Sequence, residues 1–358
     1  MPTVEQNIRW WNLRKDWSNG GDEWSEDWGG VAAQWFGSVL PRIQPFMPAP
    51  TILEIAPGFG RWTQYLLQYC ERLIVIDLAE KCIEACKERF RSYSHIEYYV
   101  NDGKSLAMVR DNSLDFVFSY DSLVHAESDV LEAYISQLAK KLSPDGVAFL
   151  HHSNVGSYVK PGTGKLPFYV HNRRIGGEST TARLFKQYGE NAGLQCMAQE
   201  LINWRSGYLN DCFSVLTRKN SVWSSPNRVL VNRNFMREVQ RLKLMSRLYP
   251  SVPAGGKTPA KRDQNGRGTG DAATVSKLTL AEGIIREQGP RGLASAVRER
   301  LRRFLRTADM SRMGGWLFRS FDRYAGDVRK RLVCPVCRGH VEMVGEDLLC
   351  RRCDDLYL

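Results

Sequence analysis

The sequence predicts an α/β fold in which a mostly parallel sheet is covered by helices on both faces. The first observation is a short apolar run at 51–56 that leads into a glycine turn and then into apolar residues at helical spacing. The second is a series of further strand-length apolar runs at 72–77, 95–100, 114–119 and 146–151. Strands that alternate with helices in this way are typical of a parallel sheet.

Helices are predicted in the gaps between these strands, and two late strands are predicted to close the sheet as a hairpin. The predicted helices are 61–70, 79–92, 128–142 and 179–193, and the late strands are 195–203 and 211–217. Together these elements make a seven-stranded, Rossmann-like sheet.

The turn after the first strand has the composition of a ligand-binding loop. Gly58 and Gly60 stand where the backbone must bend tightly and pass close to a ligand. Asp77 ends the second strand about 20 residues later, where a carboxylate can accept hydrogen bonds from ribose hydroxyls. Because a Gly-x-Gly pair alone occurs in many ordinary turns, it is the acid on the second strand that favours a nucleotide-like cofactor.

The order Glu54-x-Ala56-x-Gly58-x-Gly60 resembles motif I of class I S-adenosylmethionine (SAM)-dependent methyltransferases, which read E/D-x-G-x-G-x-G. Ala56 departs from that pattern at the first glycine. The resemblance covers about residues 1–218 and implies the methyltransferase sheet, with SAM as the cofactor. It also implies that Glu54 and the backbone from Ala56 to Gly60 hold the methionine end of SAM.

The same resemblance assigns the rest of the cofactor to residues that follow the next strands. Asp77 would hold the ribose, with Leu78 packed behind it. Asp102 and Gly103 resemble the position that contacts adenine in the family, although an acid there is equally typical of an ordinary turn. Asp121 ends the fourth strand at the edge where open α/β sheets bind ligands, so it is a further candidate for the cofactor.

Two histidines are candidates for the base that methyl transfer to an alcohol requires. His125 follows the fourth strand and His152 ends the fifth, and both positions open onto the edge where the methyl group must lie. Histidine is best matched to this task near neutral pH. A lone histidine at a strand end is more often a structural hydrogen-bonding group, and Asp121 could orient either ring or contact SAM.

The run from Asp121 to His125, together with His-His-Ser-Asn at 151–154, resembles sugar and glycan O-methyltransferases of bacterial polysaccharide and natural-product pathways. The Asn/Asp-Pro-Pro-Tyr/Phe signature that is usual for amino methylation of bases and glutamine does not occur in the sequence. We therefore expect O-methylation of a small-molecule or glycan acceptor, such as a sugar or another hydroxylated metabolite. Two alternatives stay open, an RNA (tRNA or rRNA) methyltransferase and a non-catalytic SAM-binding scaffold.

The basic charge of the chain is confined to one segment. The chain has 358 residues and a formal net charge of +11. Residues 219–330 carry +15, whereas residues 1–218 carry −3 and residues 331–358 carry −1. The basic segment is predicted to begin with an amphipathic helix at 227–248 and to continue into a partly disordered linker. Its expected partners are an anionic membrane surface, a partner enzyme or, as the alternative, RNA.

Tryptophan is concentrated in the segment before the first strand. Six tryptophans lie between residues 10 and 35, interrupted by Gly20-Gly21 and Gly29-Gly30. So many rings predict a cap that packs over the domain. In related methyltransferases an N-terminal segment often closes over SAM, so the resemblance favours a lid, with Trp24 or Trp28 against an adenine or sugar face.

Four cysteines near the end of the sequence have the spacing of a metal site. Cys334-x-x-Cys337 and Cys350-x-x-Cys353 are separated by 12 residues. Four thiolates at this spacing predict a closed, structural Zn²⁺ site on two knuckles, with a small hairpin between them. The segment is similar to the zinc ribbon of small methyltransferase activator subunits, which serve tRNA, rRNA and translation-factor methyltransferases.

Four regions are therefore expected. They are a tryptophan-rich cap or lid at 1–50, a methyltransferase domain at 51–218, the basic region at 219–330 and a zinc ribbon at 331–358. The sequence shows neither an apolar run of membrane-spanning length nor a signal-peptide pattern. We expect a cytoplasmic protein, which would be peripheral at the inner face of the membrane if the basic segment binds lipid.

Overall fold

The computed structural model describes residues 3–15, 17, 19–160, 162–166 and 177–248, and the backbone of 342–344, 347–350 and 355–357. Strands and helices alternate from residue 51 onward, as the apolar pattern predicts. The strands are β1 (Thr51–Ile55), β2 (Arg72–Asp77), β3 (Ile96–Val100), β4 (Leu114–Ser119), β5 (Leu142–Ser153), β6 (Leu194–Ile202), β7 (Asp211–Arg218), β8 (Asn227–Asn232), β9 (Glu342–Val344), β10 (Asp347–Cys350) and β11 (Asp355–Tyr357). The α-helices are α1 (Val4–Arg9), α2 (Val31–Gln34), α3 (Leu40–Ile43), α4 (Thr63–Leu66), α5 (Glu80–Arg89), α6 (Ser128–Lys141), α7 (Ala182–Asn191) and α8 (Phe235–Leu248).

The strands form one mixed sheet in the order β3-β2-β1-β4-β5-β7-β6-β8-β11-β10-β9. Strands β1 to β5 pair in parallel, with β1 between β2 and β4. Strand β7 runs antiparallel to both β5 and β6. Because β1, β2 and β4 are parallel neighbours, their carboxyl ends meet at one edge of the sheet, and the loops that follow them lie side by side.

The seven-strand prediction is wrong by one strand, because the described residues before α8 form eight strands. The sequence predicts a helix from residue 227, but 227–232 form β8, which pairs in parallel with β6. Asn227 and Val229 are buried whereas Leu230 is exposed, which is the two-residue period of a strand. The helix itself begins only at Phe235. Strand β11 continues the sheet beyond β8, also in parallel.

Two apolar layers enclose the sheet, because successive apolar side chains of β1 point to opposite faces. Ile52 faces the layer that contains Trp28 and Trp35 of the N-terminal segment, and Leu53 faces the layer formed with α6. Helix α8 belongs to the first layer. The ring of its Phe235 lies 6.4 Å from that of Trp28, so the N-terminal segment and α8 share one core.

Several predictions concern residues that the structure does not describe. Cys334, Cys337 and Cys353 lie outside the described residues, and of Cys350 only the backbone is described. Strands β9 and β10 are antiparallel in the stretch where the small hairpin is predicted. The basic segment from residue 249 to 330 also lies outside the described part. Among the described helices, none combines the length and apolar character that crossing a membrane requires.

Candidate active site

A pocket opens at the carboxyl ends of β1, β2 and β4, the edge at which open α/β sheets bind ligands. Loops that follow these strands form its floor, and Trp11, Trp17 and Trp24 of the N-terminal segment cover it. The sequence-predicted residues that line the pocket are Ala56, Gly58, Asp77, Leu78, Gly103, Asp121 and His125. Glu54, Gly60, Asp102 and His152 lie outside the lining.

The glycine turn has a backbone that favours glycine at three alternate positions. The φ angles of Ala56, Gly58 and Gly60 are 57°, 60° and 84°, all in the left-handed region. A Cβ atom on Gly58 would lie 2.8 Å from the Trp17 ring on the pocket side. A Cβ on Gly60 would lie 2.4 Å from the Phe90 ring. Gly58 thus makes room for the Trp17 ring, whereas Gly60 makes room for Phe90 and for Cys86 of α5.

Asp77 ties the second strand to the glycine turn. Its carboxylate accepts the backbone N–H of Gly58 at 3.2 Å and that of Ala79 at 2.8 Å. Burial raises the pKa of Asp77 to about 7, although hydrogen bonds from the backbone oppose the rise. When it is ionised, the Asp77 carboxylate on the pocket floor is suited to accept hydrogen bonds from ribose hydroxyls.

Glu54 lies beneath the turn rather than in the pocket. Its side chain is buried, and one carboxylate oxygen accepts the hydroxyl of Thr63 at 2.6 Å. Burial raises the pKa of Glu54 to about 8, with a smaller contribution from the charge of Asp77 and an opposing hydrogen bond from Thr63. Its Oε1 atom has no hydrogen-bond partner among the described residues. The Glu54 side chain therefore lies outside the pocket lining, and its contact with the methionine end of SAM stays a prediction.

The region predicted to hold adenine is an apolar slot. Leu78 lies opposite Gly103, where an added Cβ would be 3.7 Å from the Cβ atom of Leu78. Tyr134 of α6 also lines the slot, and its hydroxyl accepts a hydrogen bond from Asn101 Nδ2 at 2.9 Å. These residues agree with a flat aromatic ligand next to the ribose position at Asp77.

Asp102 has the position of an ordinary turn acid. Its carboxylate accepts the backbone N–H groups of Lys104 at 2.9 Å and Ser105 at 2.6 Å, and these bonds lower its pKa. The side chain is exposed and lies outside the pocket lining. The turn itself therefore uses the Asp102 carboxylate, and an adenine contact at this residue stays a prediction.

An ion pair between Arg61 and Asp121 lies in the pocket. Arg61 Nη2 is 3.1 Å from Asp121 Oδ2, and the two side chains are 5% and 13% exposed. The guanidinium lies over the rings of Trp62 and Trp24, at 4.6 and 5.4 Å from their centroids. The sequence analysis does not name Arg61, although its position directly after Gly60 indicates a cation beside the glycine turn.

The two candidate histidines have different surroundings. His125 lines the pocket beside Trp11, with 5.6 Å between ring centroids. His152 is fully buried, stacks on Phe185 at 4.0 Å and has Nε2 2.8 Å from Ser214 Oγ. Burial lowers the pKa of His152 to about 3. A ring enclosed in this way cannot reach an acceptor in the pocket, so of the two predicted histidines it is His125 that lines the pocket.

His151, which the sequence analysis does not favour, lies outside the pocket lining but contacts Asp121, which is part of it. Its Nδ1 accepts the backbone N–H of Asp121 at 3.0 Å. Successive residues of a strand point to opposite faces, so His151 and His152 separate to the two sides of β5. The sequence gives no sign of which side faces the pocket.

The N-terminal tryptophans divide between a cover and a core. Trp17 stacks on Phe59 at 4.4 Å, and Trp24 lies 5.0 Å from Trp17. Trp28 is instead fully buried, 5.0 Å from the ring of Trp204. The segment is therefore both a cap and a cover for the pocket, and Trp28 is unavailable to a ligand.

Comparison with known proteins agrees with this site. Residues 52–146 match the family model described as a methyltransferase domain. The chain is similar to phosphoethanolamine N-methyltransferase 1 of Triticum aestivum, with 30% identity over 113 residues, 31% of this chain and 23% of that protein. It is also similar to nodulation protein S of Sinorhizobium fredii, with 27% identity over 100 residues, 28% of this chain and 45% of that protein. The match thus spans less than half the length of either relative.

Among solved structures, the chain is similar to the N-methyltransferase NodS from Bradyrhizobium japonicum. It has 17% identity and a TM-score of 0.39 over 51% of this chain and 94% of its own. A complex of a Haloferax volcanii Trm112 methyltransferase activator with a putative methyltransferase has 16% identity and a TM-score of 0.40 over 56% of this chain and 95% of its own. Residues 52–146 thus match a methyltransferase domain, and the pocket lies at the carboxyl ends of strands within that stretch.

Proposed function

We propose that the whole protein is a SAM-dependent methyltransferase that acts on a hydroxylated acceptor such as a sugar, a glycan or a related metabolite. The observation that carries the proposal is the shared pocket: Asp77, Gly58 and His125 line one cavity at the carboxyl edge of the sheet. The first two fit the nucleoside of SAM, and the histidine provides a base at the same site. SAM, when bound, supplies the activated methyl group.

The residues of this chain would bind SAM, orient the acceptor and deprotonate its hydroxyl group. Asp77 and the glycine turn hold the nucleoside, and the tryptophan cover excludes water. His125 takes the acceptor's hydroxyl proton while the acceptor oxygen forms its bond to the methyl carbon. The bond from that carbon to sulfur breaks, and the sulfur keeps the electron pair, which leaves S-adenosylhomocysteine (SAH) as the product.

A methyl-transfer assay with a panel of acceptors tests this proposal. We expect SAH to form with nucleotide sugars or polysaccharide, and His125→Gln to lower kcat by about 10²- to 10⁴-fold, the usual contribution of a general base. His95→Gln is the matched control, because the His95 ring contacts the carbonyl of Leu67 and lies outside the pocket lining. Unchanged turnover in His125→Gln would eliminate the histidine base.

Two other acceptor classes are outcomes of the same assay. Amines are included because NodS is named an N-methyltransferase. RNA is included because residues 219–330 carry a net charge of +15. An RNA substrate predicts that affinity falls steeply with salt, since binding would release counterions from the phosphates. Binding to anionic vesicles instead of RNA would favour the membrane or partner-enzyme role of the basic segment.

The zinc ribbon is a separate proposal that rests on the spacing of Cys334, Cys337, Cys350 and Cys353. Four thiolates in two pairs would bind one structural Zn²⁺ and stabilise the C-terminal strands. Metal analysis of the purified full chain should find one zinc per chain, and Cys334→Ser with Cys337→Ser should abolish it. Protein purified without zinc that keeps the same melting temperature after zinc is added would refute the site.

A further inference from the structure

Asp121 has a strained backbone whose cause lies outside the pocket. Its φ angle is 62°, in the left-handed region. A residue other than glycine adopts this conformation at an energetic cost, and keeps it only where the surroundings impose it. The backbone N–H of Asp121 donates to Nδ1 of His151 at 3.0 Å, which makes His151 the contact that fixes this turn.

The same hydrogen bond determines the tautomer of His151. Because the backbone N–H can only donate, Nδ1 must accept and the ring proton must lie on Nε2. Nε2 is 3.2 Å from Oδ2 of Asp211, so the N–H donates to that carboxylate. Both side chains are fully buried. A neutral imidazole therefore links a carboxylate on β7 to the backbone of the loop after β4.

The His151 ring is held by its neighbours as well as by these bonds. Its centroid lies 4.6 Å from that of Phe213, 5.0 Å from Tyr120 and 5.2 Å from Trp204. Asp211 is fixed by the sheet, because it pairs with Ser153 in the register of β5 and β7. His151 on β5 and Asp211 on β7 are thus both held in place by the sheet.

The other end of the linkage faces the pocket. The Asp121 carboxylate accepts a hydrogen bond from Arg61 Nη2 at 3.1 Å, and both residues line the pocket. A carboxylate next to a guanidinium is complementary to a group that carries both an ammonium and a carboxylate. The methionine end of SAM is such a group.

We propose that His151 and Asp211 are positioning residues that hold the Arg61–Asp121 pair in register with the amino-acid end of SAM. Neither His151 nor Asp211 lies in the pocket lining, so both act through Asp121. The inference rests on the proposed function, because it requires SAM in this pocket.

Two probes separate a positioning role from a purely structural one. SAH carries the amino-acid group, whereas 5′-methylthioadenosine has the same nucleoside and sulfur without it. His151→Gln keeps a donor toward Asp211 but loses the acceptor for the Asp121 N–H. In calorimetry with the full chain, we expect its Kd for SAH to rise about tenfold, the size of one charge-assisted hydrogen bond, with little change for 5′-methylthioadenosine.

His151→Asn is the conservative rescue, since its amide oxygen can replace Nδ1 as the acceptor. It should keep most of the preference for SAH. Thr217→Val is the matched control, because it removes a buried 2.9 Å hydrogen bond from the Thr217 hydroxyl on β7 to the Gly146 carbonyl on β5, outside the pocket lining. In an Asp121→Asn background, His151→Gln should cause no further loss of SAH preference, because His151 acts through the Asp121 carboxylate, which that background has already lost.

The outcomes are distinguishable. If the wild-type protein binds neither probe, the proposed function itself fails. If it binds both and His151→Gln weakens them equally, or changes neither, the positioning role is refuted. Thermal melting establishes that each variant is folded. If His151→Gln does not fold, Asp211→Asn replaces it and should shift the ratio of the two Kd values in the same direction, since an unchanged ratio would also refute the role.

Discussion

Replacing Asp77 with asparagine tests how the pocket would recognise the nucleoside. The carboxylate is 6% exposed and accepts two backbone N–H groups, from Gly58 and Ala79. Asparagine is the same size, and its amide oxygen can accept one of these bonds, but its amide nitrogen cannot accept the other. The unfolding free energy should fall by about 1–3 kcal/mol, the usual effect of one unsatisfied buried donor.

The same substitution should also weaken SAM binding. Hydrogen bonds from ribose hydroxyls to an ionised carboxylate contribute about 1.5–3 kcal/mol each, and asparagine loses at least one of them. The Kd for SAM in calorimetry should therefore rise about 10- to 150-fold. Asp115→Asn is the matched control, since Asp115 accepts the Thr51 N–H at 3.0 Å and lies outside the pocket lining.

The pH dependence gives an independent check of the same contact. Burial raises the pKa of Asp77 to about 7 in the unliganded protein, and the ribose hydroxyls bind best to its ionised form. SAM affinity should therefore increase as pH rises through 7 and should level off above it. Asp77→Asn should remove this rise. SAM affinity within twofold of wild type in Asp77→Asn, at every pH, would refute the reasoning.

Three further predictions concern the turn, the cover and the core. The pKa of Glu54 is raised to about 8, so the stability that its neutral form provides is complete below about pH 4 and is lost as pH rises through 8. Glu54→Gln should therefore reduce the fall in unfolding free energy with pH, measured by urea titration. The same fall in the variant as in the wild type would contradict this prediction. Trp17 covers Gly58, so Trp17→Ala should speed SAM association in stopped-flow fluorescence, whereas an unchanged rate would mean that the ring does not restrict entry. Phe235 is fully buried, so Phe235→Ala should lower the unfolding free energy by about 3–5 kcal/mol, and a loss below about 1 kcal/mol would argue that α8 is not part of the core.

Local sequence signals predicted the floor of the pocket well. The apolar run of β1, the glycines after it and the acid at the end of β2 lie within 27 residues, and their geometry follows from one strand–turn–helix unit. Asp77, Leu78 and Gly103 were therefore found in the pocket lining, as the resemblance implied. Glu54 and Asp102 have the right chemistry, but local hydrogen bonds to Thr63 and to the turn at 104–105 already engage their carboxylates.

What the sequence could not predict depends on contacts between distant residues. His151 and His152 are adjacent and chemically equal, and only the pairing of β5 with β7 decides which of them faces Asp211. The ion pair of Arg61 joins residues 60 positions apart, at the ends of different loops. Strand β8 was predicted as a helix because its apolar residues run directly into those of α8, which have helical spacing.

A crystal structure of the full chain with SAH would test the central claim most directly. We expect to find the ribose hydroxyls against the Asp77 carboxylate, the adenine in the slot between Leu78 and Gly103, and the sulfur facing His125. We also expect Trp17 to move away from Gly58 to admit the ligand. SAH bound at any other surface, or an empty pocket at saturating SAH, would contradict a methyltransferase site at this edge of the sheet.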